Sequence, residues 1–251
     1  MAIWALSDLH LSFGSPSKSM EVFGPAWKNY AERIKKEWLA HIKPEDLVLI
    51  PGDISWGMNF DQAMTDLLWI DQLPGTKVMI KGNHDYWWDS PAKMRKRMPA
   101  SIHIIQNDVF NWNDVTIGGA RLWDTPEYTF ADYIQFVENP LENKKEAKDP
   151  TERAEEQEKV FVRDLERLKL SLAKLNPEAK LRIALTHYPP ISADLKPSRA
   201  SQILEQYKID ICVFGHLHSL KKKEPFFGEK NGIKYVFASC DFLEFVPIRI
   251  L

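Results

Sequence analysis

Hydrophobic residues in this chain follow two rhythms. Short, nearly unbroken apolar runs stand at Ala2–Leu6, Leu47–Ile50, Val78–Ile80, Leu181–Leu185 and Ile211–Phe214. Runs of this kind read as strands buried on both faces, as in parallel sheets covered by helices. Between them, apolar residues recur every three or four positions. Trp27, Tyr30, Ile34, Trp38 and Ile42 form one such stripe, and Gly24-Pro25 places a proline at its first helical position. Met64, Leu67, Leu68 and Asp71 repeat the period within Met58–Leu73, which Pro74-Gly75 ends. Pro91–Met98 predicts a basic helical segment. Thr151–Leu175 predicts the longest helix, with Phe161, Leu165, Leu168, Leu172 and Leu175 as its stripe, and Ser198–Lys208 predicts the last.

Ser12–Gly24, with its serines, glycines and proline, reads as a loop. From Ile102 the pattern shortens. Ile102–Ile105, Val109–Trp112 and Val115–Ile117 predict small strands separated by Asn and Asp turns, and Tyr235–Ala238 and Phe242–Ile248 are expected to pair late in the chain. The order is βαβαβ, then short strands, then βαβ and β. That order predicts an α/β sandwich, two mixed sheets face to face with helices outside.

Each long apolar run ends in polar residues. These are Asp8-Leu9-His10, Gly52-Asp53, Lys81-Gly82-Asn83-His84-Asp85, Thr186-His187 and Gly215-His216-Leu217-His218. Ligands of α/β sheets bind outside the carboxyl ends of strands, so the five clusters predict one site. Five of the seven histidines lie in them. His41 reads as a helix-terminal or surface residue and His103 as a structural strand residue. Imidazole and carboxylate together suit a divalent cation. Asp8, His10, Asp53, Asn83, His187, His216 and His218 are more donors than one ion needs and enough for two with a shared carboxylate. Two ions about 3.5–4 Å apart are a common device for clamping a phosphoryl group. Taken singly, each cluster is more often a turn feature; the signal lies in their order and their places after strands.

Composition narrows the classes. The chain has 251 residues, 44% hydrophobic and 27% charged, with a formal net charge of -2. That is ordinary globular composition, without the basic excess of an extended nucleic-acid binder. The clusters run from residue 8 to residue 218, so one domain over 1–251 is expected, with an inserted loop and long helix around 124–176. Cys212 and Cys240 fall in predicted strands and read as buried thiols of a reducing compartment. No apolar run approaches the roughly 20 residues of a membrane span, and nothing at the start reads as a signal peptide. A cytoplasmic protein is expected.

The motif set resembles the calcineurin-like metallophosphoesterases, whose pattern is Asp-x-His, Gly-Asp, Gly-Asn-His-Asp/Glu, a lone His, and Gly-His-x-His. Every motif is present, and the resemblance spans nearly the whole chain. It implies a four-layer α/β/β/α sandwich of two mixed sheets. By position it implies Asp8, His10, Asp53 and His218 around one metal and Asp53, Asn83, His187 and His216 around the other, with Asp53 bridging. His84 matches a histidine that contacts phosphate and protonates the leaving oxygen, and Asp85 would orient it by accepting a ring N–H. The implied chemistry is in-line attack by a hydroxide held between two divalent ions. Mn, Fe and Zn all suit the mixed N/O donors.

The substrate expected is a small phosphodiester or pyrophosphate-linked molecule, with a phosphomonoester close behind. A nuclease and a catalytically silent metal-binding scaffold of the same fold are the alternatives. Trp56, Trp87, Trp88 and Trp123 lie near the clusters as either substrate wall or loop packing. Asp124–Pro150, with Tyr128, Phe130, Tyr133 and Phe136, is either a lid or a surface excursion. Lys221-Lys222-Lys223 reads as a solvated hairpin loop, with attraction of an anionic substrate the lesser reading. Arg121 is either a phosphate contact or a strand-edge arginine.

Overall fold

The computed structural model describes residues 1–135, 150–221 and 226–251. Its first sheet has the order β11-β1-β2-β3-β4, from β1 (Ile3–Ala5), β2 (Leu47–Ile50), β3 (Thr76–Met79), β4 (Ile102–Ile104) and β11 (Ile248–Arg249). β1 to β4 pair in parallel and β11 is antiparallel to β1. The second sheet has the order β5-β6-β7-β8-β10-β9, from β5 (Val109–Trp112), β6 (Val115–Ala120), β7 (Leu181–Thr186), β8 (Ile211–Phe214), β9 (Gly228–Lys230) and β10 (Ile233–Phe237). Its four central strands are parallel, with antiparallel β5 and β9 at the edges.

Period-two alternation sorts each strand between two cores. Leu47 and Leu49 join Ile3, Val78, Ile183 and Val213 between the sheets. Val48 and Ile50 turn outward against α1 (Tyr30–His41) and α2 (Phe60–Asp71), meeting Ile34, Trp38, Leu67 and Ile70. On the other side, Ala184, Cys212 and Phe214 pack on Phe161, Leu165, Leu168 and Leu172 of α4 (Pro150–Leu172) and on Leu204 of α5 (Arg199–Gln206). The layers are therefore α/β/β/α. Both faces of the central strands are covered, which explains their unbroken apolar runs.

Local chemistry sets the helix ends. The Asn59 side chain accepts the Gln62 N–H at the start of α2, and Ser198 and Ser201 form a reciprocal capping box at the start of α5. The first helix begins later than its stripe predicts. Pro25–Trp27 is a single 3₁₀ turn, and Asn29, at φ 52°, breaks the chain before α1. Leu68, assigned by periodicity to the buried stripe, is half exposed. The short α3 (Pro91–Arg95) ends before Met98.

The expected late hairpin does not form. β10 pairs in parallel with β8, residues 241–245 turn, and β11 crosses to the first sheet. The cause is Ser239. It bridges to Ser7 beyond the end of β1, with Ser7 N–H bonded to Ala238 O at 2.7 Å and Cys240 N–H to Ser7 O at 3.0 Å. The two sheets are thus tied together at the carboxyl ends of their strands.

Candidate metal centre

That joint is where the polar clusters meet. Asp53 Oδ2 lies 3.5 Å from His10 Nε2 and 3.4 Å from His187 Nε2. Asn83 Oδ1 lies 2.7 Å from His187 Nε2 and 3.0 Å from His216 Nδ1. His10 Nε2 and His218 Nε2 face each other at 3.1 Å, and Asp8 Oδ1 is 3.7 Å from His218 Nε2. Asp8, His10 and His218 form one group with metal-ligand spacing, and Asp8, Asp53 and His187 form another. Seven residues from five strand ends therefore converge.

The backbone is bent to bring them there. Asp8, His10, Asp53 and His216 all take left-handed φ, at 60°, 45°, 52° and 77°. Such values are uncommon outside glycine and cluster at functional sites. Asp8 and His10 converge through two left-handed residues. Glycine is required where loops press together. A Cβ on Gly82 would collide with Asp53, and one on Gly215 with the Asp8 carboxylate and Ser7.

A family model, calcineurin-like phosphoesterase, matches residues 1–220. The chain belongs to the calcineurin-like phosphoesterase family. Two curated relatives share a segment of 84 residues, a third of this chain: the gene 66 proteins of Mycobacterium phages D29 and L5, 34% and 36% identical. The match covers only 40% and 39% of those relatives. Among solved structures, a protein of unknown function, AQ665 from Aquifex aeolicus, aligns over 99% of this chain and 95% of its own at 16% identity and TM-score 0.49.

The calcineurin-like family is one of divalent-metal-dependent phosphoester hydrolases, and the donor set here fits such ions. His187 Nδ1 sits 3.0 Å from the Pro51 carbonyl and His218 Nδ1 2.9 Å from Asp241 Oδ1. Each ring donates there and turns Nε2 inward, the usual support for a metal-binding imidazole. Burial holds His10 and His216 well below the ordinary imidazole pKa, so both are neutral with a lone pair to give. His187 and His218 go the other way. Burial lowers them, but Asp53 raises His187 and Asp241 raises His218 to about 9. Acceptor atoms so crowded draw protons onto these rings, and a cation would satisfy the same field.

His84 lies beside the cluster. Its ring is 4.5 Å from Trp56 and 5.6 Å from His10, and burial lowers its pKa. Its backbone N–H donates to Asp53 Oδ1 at 2.8 Å. The expected bond from its ring to Asp85 is absent. Asp85 instead accepts the N–H groups of Asp53, Ile54, Ser55 and Gly82 and the Trp87 indole, at 2.7–3.2 Å. His84 Nδ1 is buried without a hydrogen-bond partner among the described residues. The physical reason is proximity: the loop after β2 needs its N–H groups satisfied, and Asp85 is the buried carboxylate within reach.

Of the tryptophans, Trp87 and Trp88 pack loops, and Trp88 donates to Gln106. Trp123 lies under the Arg121 guanidinium and against Tyr188, while Trp56 stacks on His10 at 5.1 Å. Tyr128 donates to Pro189 O at 2.6 Å and Phe130 packs on Phe227. Phe136, Lys222 and Lys223 lie outside the described residues, as do residues 136–149 of the Asp124–Pro150 segment read as a lid or a surface excursion.

Four contributors escaped sequence reading. Asp241 orients His218, Ser239 donates to Asp8 Oδ2 at 2.8 Å, Tyr188 lies 3.8 Å from the His216 ring, and Trp27 edges onto His218. A signal existed for the first two. Ser239-Cys240-Asp241 is a further polar cluster after an apolar strand, without a histidine to mark it.

Proposed function

We propose that the chain is a two-metal phosphoesterase, acting as a single domain over 1–251 on a small phosphodiester or pyrophosphate-linked substrate, with a phosphomonoester as the near alternative. The observation that supports it most directly is the placement of Asp53 Oδ2 between two imidazole nitrogens that belong to different halves of the cluster. Asp8, His10, Asp53 and His218 would hold one divalent ion, and Asp53, Asn83, His187 and His216 the other. Bound ions of this kind, Mn, Fe or Zn, supply Lewis acidity toward phosphoryl oxygens and acidify water.

The chain's own residues do the rest. His84, next to the cluster, would contact the phosphate and, in its imidazolium form, hand a proton to the departing oxygen. Trp56 packs against its ring at a 48° tilt, where no carboxylate bonds it. Asp85 acts on the loop rather than on the imidazole, gathering the N–H groups around Asp53. Buried free thiols at Cys212 and Cys240 agree with a reducing, cytoplasmic setting. No helix among the described residues is long and apolar enough to cross a membrane.

The test is a manganese-reconstituted screen of chromogenic mono- and diesters with His84→Ala alongside. The variant is expected to retain its metal and lose roughly 10²- to 10⁴-fold in turnover. Full metal loading with no hydrolysis of any ester by the unaltered chain would favour a silent scaffold.

A further inference from the structure

At the same end of the two sheets as the metal cluster lies a second cavity, of about 260 Å³. Residues just after β3, the end of β6 and one face of α4 line it. Its charged lining is Lys81, Arg121, Arg163 and Arg167 against the one carboxylate of Asp164. Four cations less one anion leave a local surplus of three positive charges, in a chain whose net charge is -2. General basicity does not explain it.

Asp164 is fully buried and already shared. Its Oδ2 takes Arg121 Nη2 at 2.9 Å and Nε at 3.3 Å, and its Oδ1 takes Arg167 Nη1 at 2.8 Å and lies 3.5 Å from Arg163 Nε. One carboxylate thus fans out three guanidinium groups without neutralising them. The Lys81 ammonium has no hydrogen bond or ion pair among the described residues. Gln106 gives its carbonyl oxygen to the Trp88 indole at 2.6 Å, which leaves its amide N–H groups to donate.

We propose that this cavity is a phosphate-binding subsite that takes a second phosphate group of the substrate. The proposal rests on the phosphoesterase reading above. Fixed guanidinium groups match phosphate geometry, and a low-dielectric cleft of one sign concentrates anions. Two chain segments run from this cavity to the metal cluster. Lys81 and Asn83 are two residues apart, so their Cα atoms are no more than about 7.6 Å from each other. The Arg121 carbonyl accepts the N–H groups of both His187 and Tyr188 at 3.0 Å. The volume falls just under the roughly 300 Å³ at which pockets for larger ligands begin. It suits a phosphate on a sugar or a short pyrophosphate link.

The experiment compares thymidine 5′-(p-nitrophenyl phosphate) with its 3′-phosphorylated derivative on the manganese-reconstituted full chain. Both carry the same scissile bond, so a purely structural defect leaves the ratio of their kcat/KM values unmoved. The unaltered chain is expected to favour the bisphosphorylated ester roughly tenfold, the value of one charge-assisted contact. Lys81→Gln, which unpairs no protein group, should bring that ratio near one, and Arg167→Gln should move it the same way. A ratio near one in the unaltered chain, or an unchanged ratio in Lys81→Gln, overturns the proposal. So does activation of the singly phosphorylated ester by inorganic phosphate that Lys81→Gln abolishes, because the occupant is then a free anion. If neither ester is hydrolysed, the phosphoesterase reading fails on its own. The subsite is then read by titrating inorganic pyrophosphate into the chelator-treated chain. Binding weakened about tenfold by Lys81→Gln supports it, and no binding overturns it.

Discussion

Strand β3 carries a buried polar cluster near each of its ends, and the two are built on opposite terms. At its start, Lys77 is fully buried, yet its ammonium donates to the carbonyls of Leu73 and Asp71 and to Ser101 Oγ. Ser101 in turn donates to Asp71 Oδ1 at 2.6 Å. Every donor there has an acceptor, and the cluster also closes the last carbonyls of α2. Beyond the end of β3, the oxygens of Asp53 and Asn83 crowd the ring nitrogens of His187 and His216, raising the His187 pKa where a cation would answer the same field. The first arrangement is complete and serves the fold. The second gathers charge and donor atoms for which the proposed cations would be the partners.

The largest test of the contrast is Asp53→Asn. Removing the central carboxylate should cut manganese stoichiometry from two ions to less than one per chain, measured by elemental analysis. It should also reduce turnover on the order of 10³-fold, since the ions contribute several kcal/mol. Retention of both ions would break the bridging assignment.

Asp241→Asn is subtler. His218 Nδ1 loses its carboxylate partner while the donor set stays whole, so metal affinity should weaken by roughly 10- to 100-fold. A competition titration with a fluorescent chelator reads this; an unchanged affinity would mean that Asp241 plays no part.

At the other end of the strand, Lys77→Met should leave metal content intact and lower unfolding stability by about 2 kcal/mol, because buried carbonyls lose their donor. The pH dependence sharpens this. Burial depresses the Lys77 pKa from 10.5 to about 8. The unfolded chain therefore binds more protons between those values, and stability rises with pH across that window. Urea melts should show the unaltered chain gaining on Lys77→Met from about pH 8 upward. A constant difference would sink the assignment.

Much of the fold was legible because its signals are local. Unbroken apolar runs such as Leu47–Ile50 mark strands covered on both faces, and Phe161 to Leu172 mark one side of a helix. The late strands were misjudged because pairing partners are chosen in three dimensions; nothing in Phe242–Ile248 announces that it will leave β10 for β1. The start of α1 was misjudged because a left-handed Asn29 is a backbone event with a weak residue signature.

The chain's order of residues alone determined which side chains would meet in one cluster, since each histidine cluster follows a strand and strand ends share one edge. It also determined the layers, through the period of its apolar positions. Tertiary structure decided what those side chains do. It drew Asp85 away from His84 to serve five N–H groups and brought in Asp241 behind His218. It also gathered Lys81 and three arginines around one cavity. Hydrogen-bond satisfaction and charge crowding are properties of neighbours in space, and neighbours 20 to 200 residues apart along a chain are named only when it folds.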